Sequence, residues 1–310
     1  MKTARRVAEP IVSIIDLDKV HGLGDGLKQA LSILPLDRII HPTDTVVIEP
    51  NFVSAKGIKT NALTKPEILQ ALIRVIKEFR PKRIVVAEGS GGTPTEQMLA
   101  FTGADKVIKE EQVEFVDLND PPLMDFPIQH NRPNRVTVNR IIQDIDVLVS
   151  LTVLKMHEEA TLTAAMKNVA LSFPAGTVYG LPKADTSGLP NPLRNDLHAD
   201  LHGFIVAMNK LLPIDLAILE ADEVMIGTGP TRGKPVRAGM LLAGTDPVAI
   251  DVVGAHLMGF KPQAVRYLWQ ALSDNLGEGE LERIDFRGLE FESAAKIFSK
   301  RVFGKEIVVR

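Results

Sequence analysis

Asp146-Val-Leu-Val-Ser-Leu-Thr-Val-Leu154 runs directly into Lys155-Met-His-Glu-Glu-Ala-Thr-Leu-Thr-Ala-Ala-Met-Lys-Asn168, and the junction between the two decides the fold. The first stretch is mostly Val and Leu between a polar start and a charged end, which predicts a strand buried on both faces of a parallel sheet. Lys155 then falls at the carboxyl end of that strand, where open α/β sheets collect ligands. In the second stretch Leu162, Met166, Val169 and Phe173 recur at i, i+4, i+7 and i+11, predicting a helix from about Ala160 to Leu171 with one apolar stripe. Lys167 lies one position off the stripe, where a lysine buries its stem and projects its ammonium into a cleft. Lys155, His157, Lys167 and Asn168 are therefore candidates for chemistry. The bland alternative is a pair of solvated loop residues and ordinary snorkelling at a helix border.

Moving outward, the same pattern repeats. Thr45 to Ile48, Arg83 to Ala87 and Ile214 to Leu219 are strand-like runs ending at Glu49, Glu88 and Glu220. With Lys155, these would line one rim of a parallel sheet with ionisable groups. Thr64-Lys-Pro-Glu67 has capping-box spacing and opens a helix carrying Leu69, Leu72, Ile73 and Ile76. After Glu88 comes Gly89-Ser-Gly-Gly-Thr93, then Pro94 and a second capping-box spacing from Thr93 to Glu96. This turn can offer backbone N–H groups to an anion, but matches neither the dinucleotide-binding glycine pattern nor a P-loop. Asn119 to Pro133 reads as a connection. Met225 to Gly233 is a glycine-rich loop with Arg232 near its tip, and Asp246-Pro247 is an N-cap followed by a first-turn proline.

Phe173 to Asn195 is the longest loop-like segment. Beyond it Asp196 opens a helix with a stripe through Leu197, Leu201, Met208 and Leu212. His198 and His202 would share a face of that helix and could hold a divalent metal, with Glu220 or Asp222 as third ligand. A polar helix border or an acid–base role are the other readings.

Alternating strands and helices predict an α/β fold, a mostly parallel sheet flanked by helices, as a single domain over 1–310 or as two lobes meeting near 173–195. A net charge of −3 gives no field that would recruit nucleic acid or an acidic membrane surface. The absence of cysteine excludes a cysteine-ligated iron–sulfur cluster, a thiolate zinc site and a cysteine nucleophile in this chain. With neither a signal-peptide pattern nor a membrane-length apolar run, a cytoplasmic protein with a small-molecule ligand is expected.

Several of these motifs, in order, resemble the uncharacterised family called domain of unknown function 362, from about Thr45 to Gly259. They are Glu49-Pro-Asn51, where the family tends to have Lys-Pro-Asn, then Thr64 to Pro66, Lys155-Met-His157, Lys167-Asn168, Gly227-Thr-Gly-Pro230 and Gly244-Thr-Asp-Pro-Val-Ala249. Many members also carry a ferredoxin-like cluster-binding segment; this chain, lacking cysteine, departs from them. The layout is remotely similar to the nickel-dependent lactate racemases, with no residue-by-residue match to their cofactor site.

The reading is an enzyme acting on a small carboxylate or phosphate. Lys155 and Lys167 would hold the anion and His157 or His198 would move a proton. Asn51, Glu88, Ser90, Gly91, Gly92, Thr93, Asn168, Asp222 and Gly229 would contact substrate. A non-catalytic ligand-binding or sensory protein is the alternative.

Overall fold

The strand at the junction runs from Val147 to His157, and its side chains alternate between two cores. Val147, Val149 and Leu151 enter one, while Leu148 and Leu154 enter the other. This alternation explains why the run has no polar face. The architecture comes from a computed structural model, which describes residues 2–56, 62–181, 183 and 197–307.

Eleven strands among the described residues are β1 (Ile11–Asp16), β2 (Thr45–Pro50), β3 (Arg83–Glu88), β4 (Glu114–Asp117), β5 (Leu123–Pro127), β6 (Arg135–Asn139), β7 (Val147–His157), β8 (Thr161–Thr163), β9 (Leu216–Ile226), β10 (Lys234–Gly244) and β11 (Asp285–Gly288). Nine of them form one sheet in the order β11-β1-β10-β9-β7-β2-β3-β4, with β8 paired to β7 beside this row. The block β9-β7-β2-β3-β4 is parallel throughout. β10 runs antiparallel to both of its neighbours. The sheet is therefore mostly parallel, as the apolar runs predict.

Helices cover both faces. On one lie α1 (Gly22–Ser32), α2 (Pro66–Glu78), α3 (Thr95–Thr102) and α4 (Ala104–Glu110), which contribute Leu27, Ile68, Leu72, Met98 and Val107 to the first core. On the other lie α5 (Ala165–Ser172), α6 (Leu201–Leu211), α7 (Pro247–Leu257), α8 (Arg266–Ser273) and α9 (Phe291–Phe303), with Val169, Phe204, Val252, Leu268 and Phe298 in the second.

Four local expectations are corrected. Asn119 to Pro133 is not only a connection: Leu123–Pro127 pairs with β6 in a separate two-stranded sheet. The helix expected from about Ala160 begins at Ala165, because the chain first turns back from β7 into β8, pairing Lys155 with Thr163. Neither threonine caps a helix. Thr64 instead accepts from Asn51 N and donates to Leu151 O, and Thr93 accepts from Ala55 N, so both hydroxyls tie loops to the sheet. Finally, β9 continues past Glu220 to Ile226, because β10 pairs with it from Ala217 to Ile226 across a bulge between Arg237 and Met240. The expected cap at Asp246 is present, accepting from Val248 N and Ala249 N. Residues 184–196, which contain most of the long loop and Asp196, and the closing Val308-Val309 lie outside the described residues.

No side chain of its own caps α5. The fully buried Asp251 of α7 does so from across the core, accepting from Ala165 N at 2.8 Å, from Met166 N at 3.1 Å and from the Tyr267 hydroxyl at 3.4 Å. Asp251→Ala leaves two amides and a hydroxyl without partners and is expected to cost about 3 kcal/mol of folding stability. A urea melt would measure this; a loss under about 1 kcal/mol would mean that the cap is dispensable.

Candidate functional site

Lys155, Glu49 and Glu88 sit at or near the carboxyl ends of the adjacent parallel strands β7, β2 and β3, Glu220 lies level with them inside the longer β9, opposite Val153, and all four are buried. Above them opens a cleft of about 600 Å³. Its walls are the segment after β2, the glycine turn after β3, the β7–β8 hairpin, α5, the β9–β10 loop and the turn before α6. Asn51, Glu88, Gly91, Gly92, His157, Lys167, Asn168, His198 and Gly229 all line it. Lys155, Ser90, Thr93, Asp222 and His202 do not.

Lys155 lies beneath the floor. Its side chain is 0% exposed, and its ammonium donates to Asn51 Oδ1 and, at 2.7 Å, to Ala62 O. It therefore does not reach an anion in the cleft; it orients Asn51. The chain of bonds continues from Asn51 Nδ2 to Asn168 Oδ1 and from Asn168 Nδ2 to Glu49 Oε2. Glu88 is held by Phe52 N and the Ser172 hydroxyl, each at 2.9 Å. Ser90 is spent on Val53 O and Thr93 on Ala55 N, so these two shape the wall rather than meet a ligand.

Burial dominates the electrostatics. Taking a charge out of water disfavours it, so buried acids titrate upward and buried bases downward. Burial, with Glu88 close by, raises Glu49 well above the usual carboxylate range, and burial brings Glu88 to about 7. Lys155 is lowered to about 7 by burial and by Lys167, and Lys167 to about 8 by burial. His157 is lowered to about 2 by burial and the nearby lysines. Its Nδ1 accepts from Glu159 N and Ala160 N at 3.1 and 3.2 Å, so the ring proton is on Nε2. His157 is thus a neutral hydrogen-bond donor near pH 7, not the proton acceptor expected. Two polar atoms of cleft-lining residues, Glu49 Oε1 and Thr163 Oγ1, are buried with no hydrogen-bond partner among the described residues.

The metal expectation is corrected on geometry. Asp200 (φ −136°, ψ 70°) lies between the two histidines as the N-cap of α6, so His198 and His202 are not stacked on one helix face. His198 Nδ1 lies 3.2 Å from Glu159 Oε2, and His202 stacks on Tyr267 at 6.4 Å between centroids. Glu220 is engaged by Lys65 at 2.6 Å, and Asp222 by Lys65 and Arg237. Among the described residues no group of three His, Cys, Asp or Glu could hold a metal ion.

Sequence reasoning missed Lys183. Its side chain lines the cleft and donates to Gly89 O and Ser172 O, both at 2.7 Å, while its backbone N–H bonds Gly91 O. Burial lowers it to about 7. It stands in a Pro- and Gly-rich stretch without periodicity, so no pattern marks it. Glu49 and Arg232 were visible, as a strand end and a loop tip, but without a role; both line the cleft. Arg232 pairs with Glu158 at 2.9 Å.

Residues 46–256 match the profile of a family described as a domain of unknown function, DUF362. A thylakoid-associated protein of Synechocystis sp. is 24% identical over 238 residues, which cover 74% of this chain and 68% of that protein. The lactate racemase apoprotein from Thermoanaerobacterium thermosaccharolyticum is a structural neighbour with 18% identity and a TM-score of 0.45, covering 80% of this chain and 58% of the racemase, less than two thirds of its length.

The depressed His157 has a consequence for stability. With a folded value near 2 against 6.5 for a free imidazole, the folded state binds fewer protons than the unfolded one between those limits. Stability from this group is present above pH 6.5 and is lost as pH falls toward about 2. His157→Asn keeps an acceptor for the Glu159 and Ala160 amides and should flatten that acid-side decline. Urea midpoints between about pH 7 and about pH 4 provide the check, and parallel slopes for the two proteins would remove His157 as the cause.

Proposed function

The chain belongs to the DUF362 family of unknown function, and we propose that it is an enzyme acting on a small anionic metabolite, a carboxylate or a phosphate, by acid–base chemistry at the sheet rim. The observation that carries this reading is Lys167. Its side chain is 7% exposed and lines the cleft, and its ammonium has no hydrogen-bond partner among the described residues. A buried cation without a bonded counter-ion is costly, and an anionic ligand removes that cost.

In this reading Lys167 faces the anion, the Nε2–H of His157 donates a second bond and Arg232 stands at the loop beside them. Proton transfer falls to Glu49, which has an unbonded oxygen, or to His198 beside Glu159. Burial raises the Glu49 carboxyl above its usual range and lowers the His198 imidazole below its own. The competing reading is a non-catalytic binding or sensory protein. It is favoured by the closed chain from Lys155 through Asn51 and Asn168 to Glu49, which can hold a binding floor rigid without moving a proton.

No helix among the described residues is long and apolar enough to cross a membrane. We propose a small molecule as ligand, and the net charge of −3 speaks against a nucleic-acid partner.

The test is a panel of small carboxylates and phosphates, with binding followed by calorimetry and conversion by NMR. Lys167→Ala is expected to weaken binding by about tenfold or more, the worth of a charge-assisted hydrogen bond. Glu49→Gln should keep binding and lower turnover by roughly a hundred-fold to ten-thousand-fold. Full turnover by both variants would refute the assignments. A ligand that binds tightly and survives incubation unchanged would move the protein to the binding class.

A further inference from the structure

Three lysines are buried around the cleft, and their ammonium groups differ in one respect. Lys155 is bonded to Asn51 and Ala62, and Lys183 to the carbonyls of Gly89, Leu171 and Ser172. Lys167 is bonded to nothing among the described residues, although its side chain lines the open volume. Its position also opposes a charge. Lys167 is the third residue of α5, in the first turn, where the helix dipole presents its positive end. Lys155 is a second cation close by, and the carboxylate that favours its charge is Glu159. Burial acts in the same sense, bringing it to about 8. A lysine kept largely desolvated and beside another cation has its neutral, nucleophilic form favoured.

We propose that Lys167 is a carbonyl-reactive lysine and that the ligand class is a small oxo acid, held by its carboxylate and joined to Lys167 Nζ as an imine. The proposal rests on the anionic-metabolite reading and adds a covalent step to it. The neutral amine adds to the carbonyl carbon, forming the C–N bond as the carbonyl π pair moves to oxygen. One proton passes from nitrogen to that oxygen, giving a carbinolamine. An acid then protonates the hydroxyl, which leaves as water while the nitrogen lone pair closes the C=N bond. Glu49 fits the acid: it lines the same cleft, its Oε1 has no hydrogen-bond partner among the described residues, and its other oxygen is bonded to Asn168, the neighbour of Lys167. The products are an iminium, a Glu49 carboxylate and one water, with no net change of oxidation state. Such an iminium draws electrons from the adjacent carbon and so makes its proton transferable. Arg232, which also pairs with Glu158, and Lys56 line the same cleft and are cations that can hold the carboxylate once Lys167 is committed to carbon.

The experiment uses the full chain with glyoxylate or pyruvate, with and without sodium cyanoborohydride, read by intact mass and peptide mapping. The expected result is a reductant-dependent adduct on Lys167, about one per chain, with Lys155 and Lys183 unmodified. Lys167→Arg should lose it by about tenfold or more, as befits removal of the nucleophile. Peptide mapping of the wild type locates the adduct even if that variant fails to fold. Adducts scattered over surface lysines and undiminished in Lys167→Arg would overturn the proposal. So would the absence of any adduct, and acetate and inorganic phosphate then separate two failures. If they still raise the melting temperature, the anionic-metabolite reading survives and only the imine falls; if they do not, both fall.

Discussion

The bond between Asn168 and Glu49 joins the two halves of the site. Asn168 belongs to α5, on one face of the sheet, and Glu49 ends a strand whose neighbour Ile48 feeds the core on the other face. Through Asn51 the same chain reaches Lys155, so a carboxyl, two amides and an ammonium fix each other's orientation. Each of these groups is buried, and buried polar groups tolerate few arrangements because every lost bond has its full desolvation cost. The cleft floor is therefore determined by hydrogen-bond satisfaction more than by packing. Lys167, one residue before Asn168, inherits its place from that floor.

Two further contacts hold α5 where the floor needs it. Asp251 caps its first amides from α7, and Asn209 of α6 donates to Met166 O at 2.9 Å. On the opposite side of the cleft the β9–β10 loop is stitched to the β7–β8 hairpin by Glu158 N–H to Gly229 O at 3.2 Å. A Cβ at Gly229 would lie 1.8 Å from Met156 O, so only glycine allows the two loops to meet. Gly229 is thus near the ligand space for a backbone reason, and its own contact with substrate is not needed to explain it.

The strands were legible because burial on both faces writes an uninterrupted apolar run, and the stretches from Asp146 to Leu154 and from Ile214 to Leu219 are runs of that kind. The rim followed from the residues that ended them. What was not legible depended on partners distant in sequence. Thr64 and Thr93 have the spacing of helix caps, yet their hydroxyls serve loops. Leu162 fits a helical stripe, but a short hairpin places it in the same core. His198 and His202 have metal spacing, and a break at Asp200, whose own side chain caps α6, takes it away. Lys183 has no local pattern at all, because what defines it is a set of carbonyls from two other segments.

The burial of Glu49, Glu88, Lys155 and Lys183 in one small volume carries an evolutionary consequence. Apolar residues of similar size at such positions are commonly neutral or stabilising, since they need no desolvation. A lineage drifting without demand on the cleft would accordingly shed these ionisable groups, and a laboratory selection for heat tolerance alone would do so sooner. Erosion of the cluster in a copy of this chain would leave the scaffold standing while removing the polar floor of the cleft.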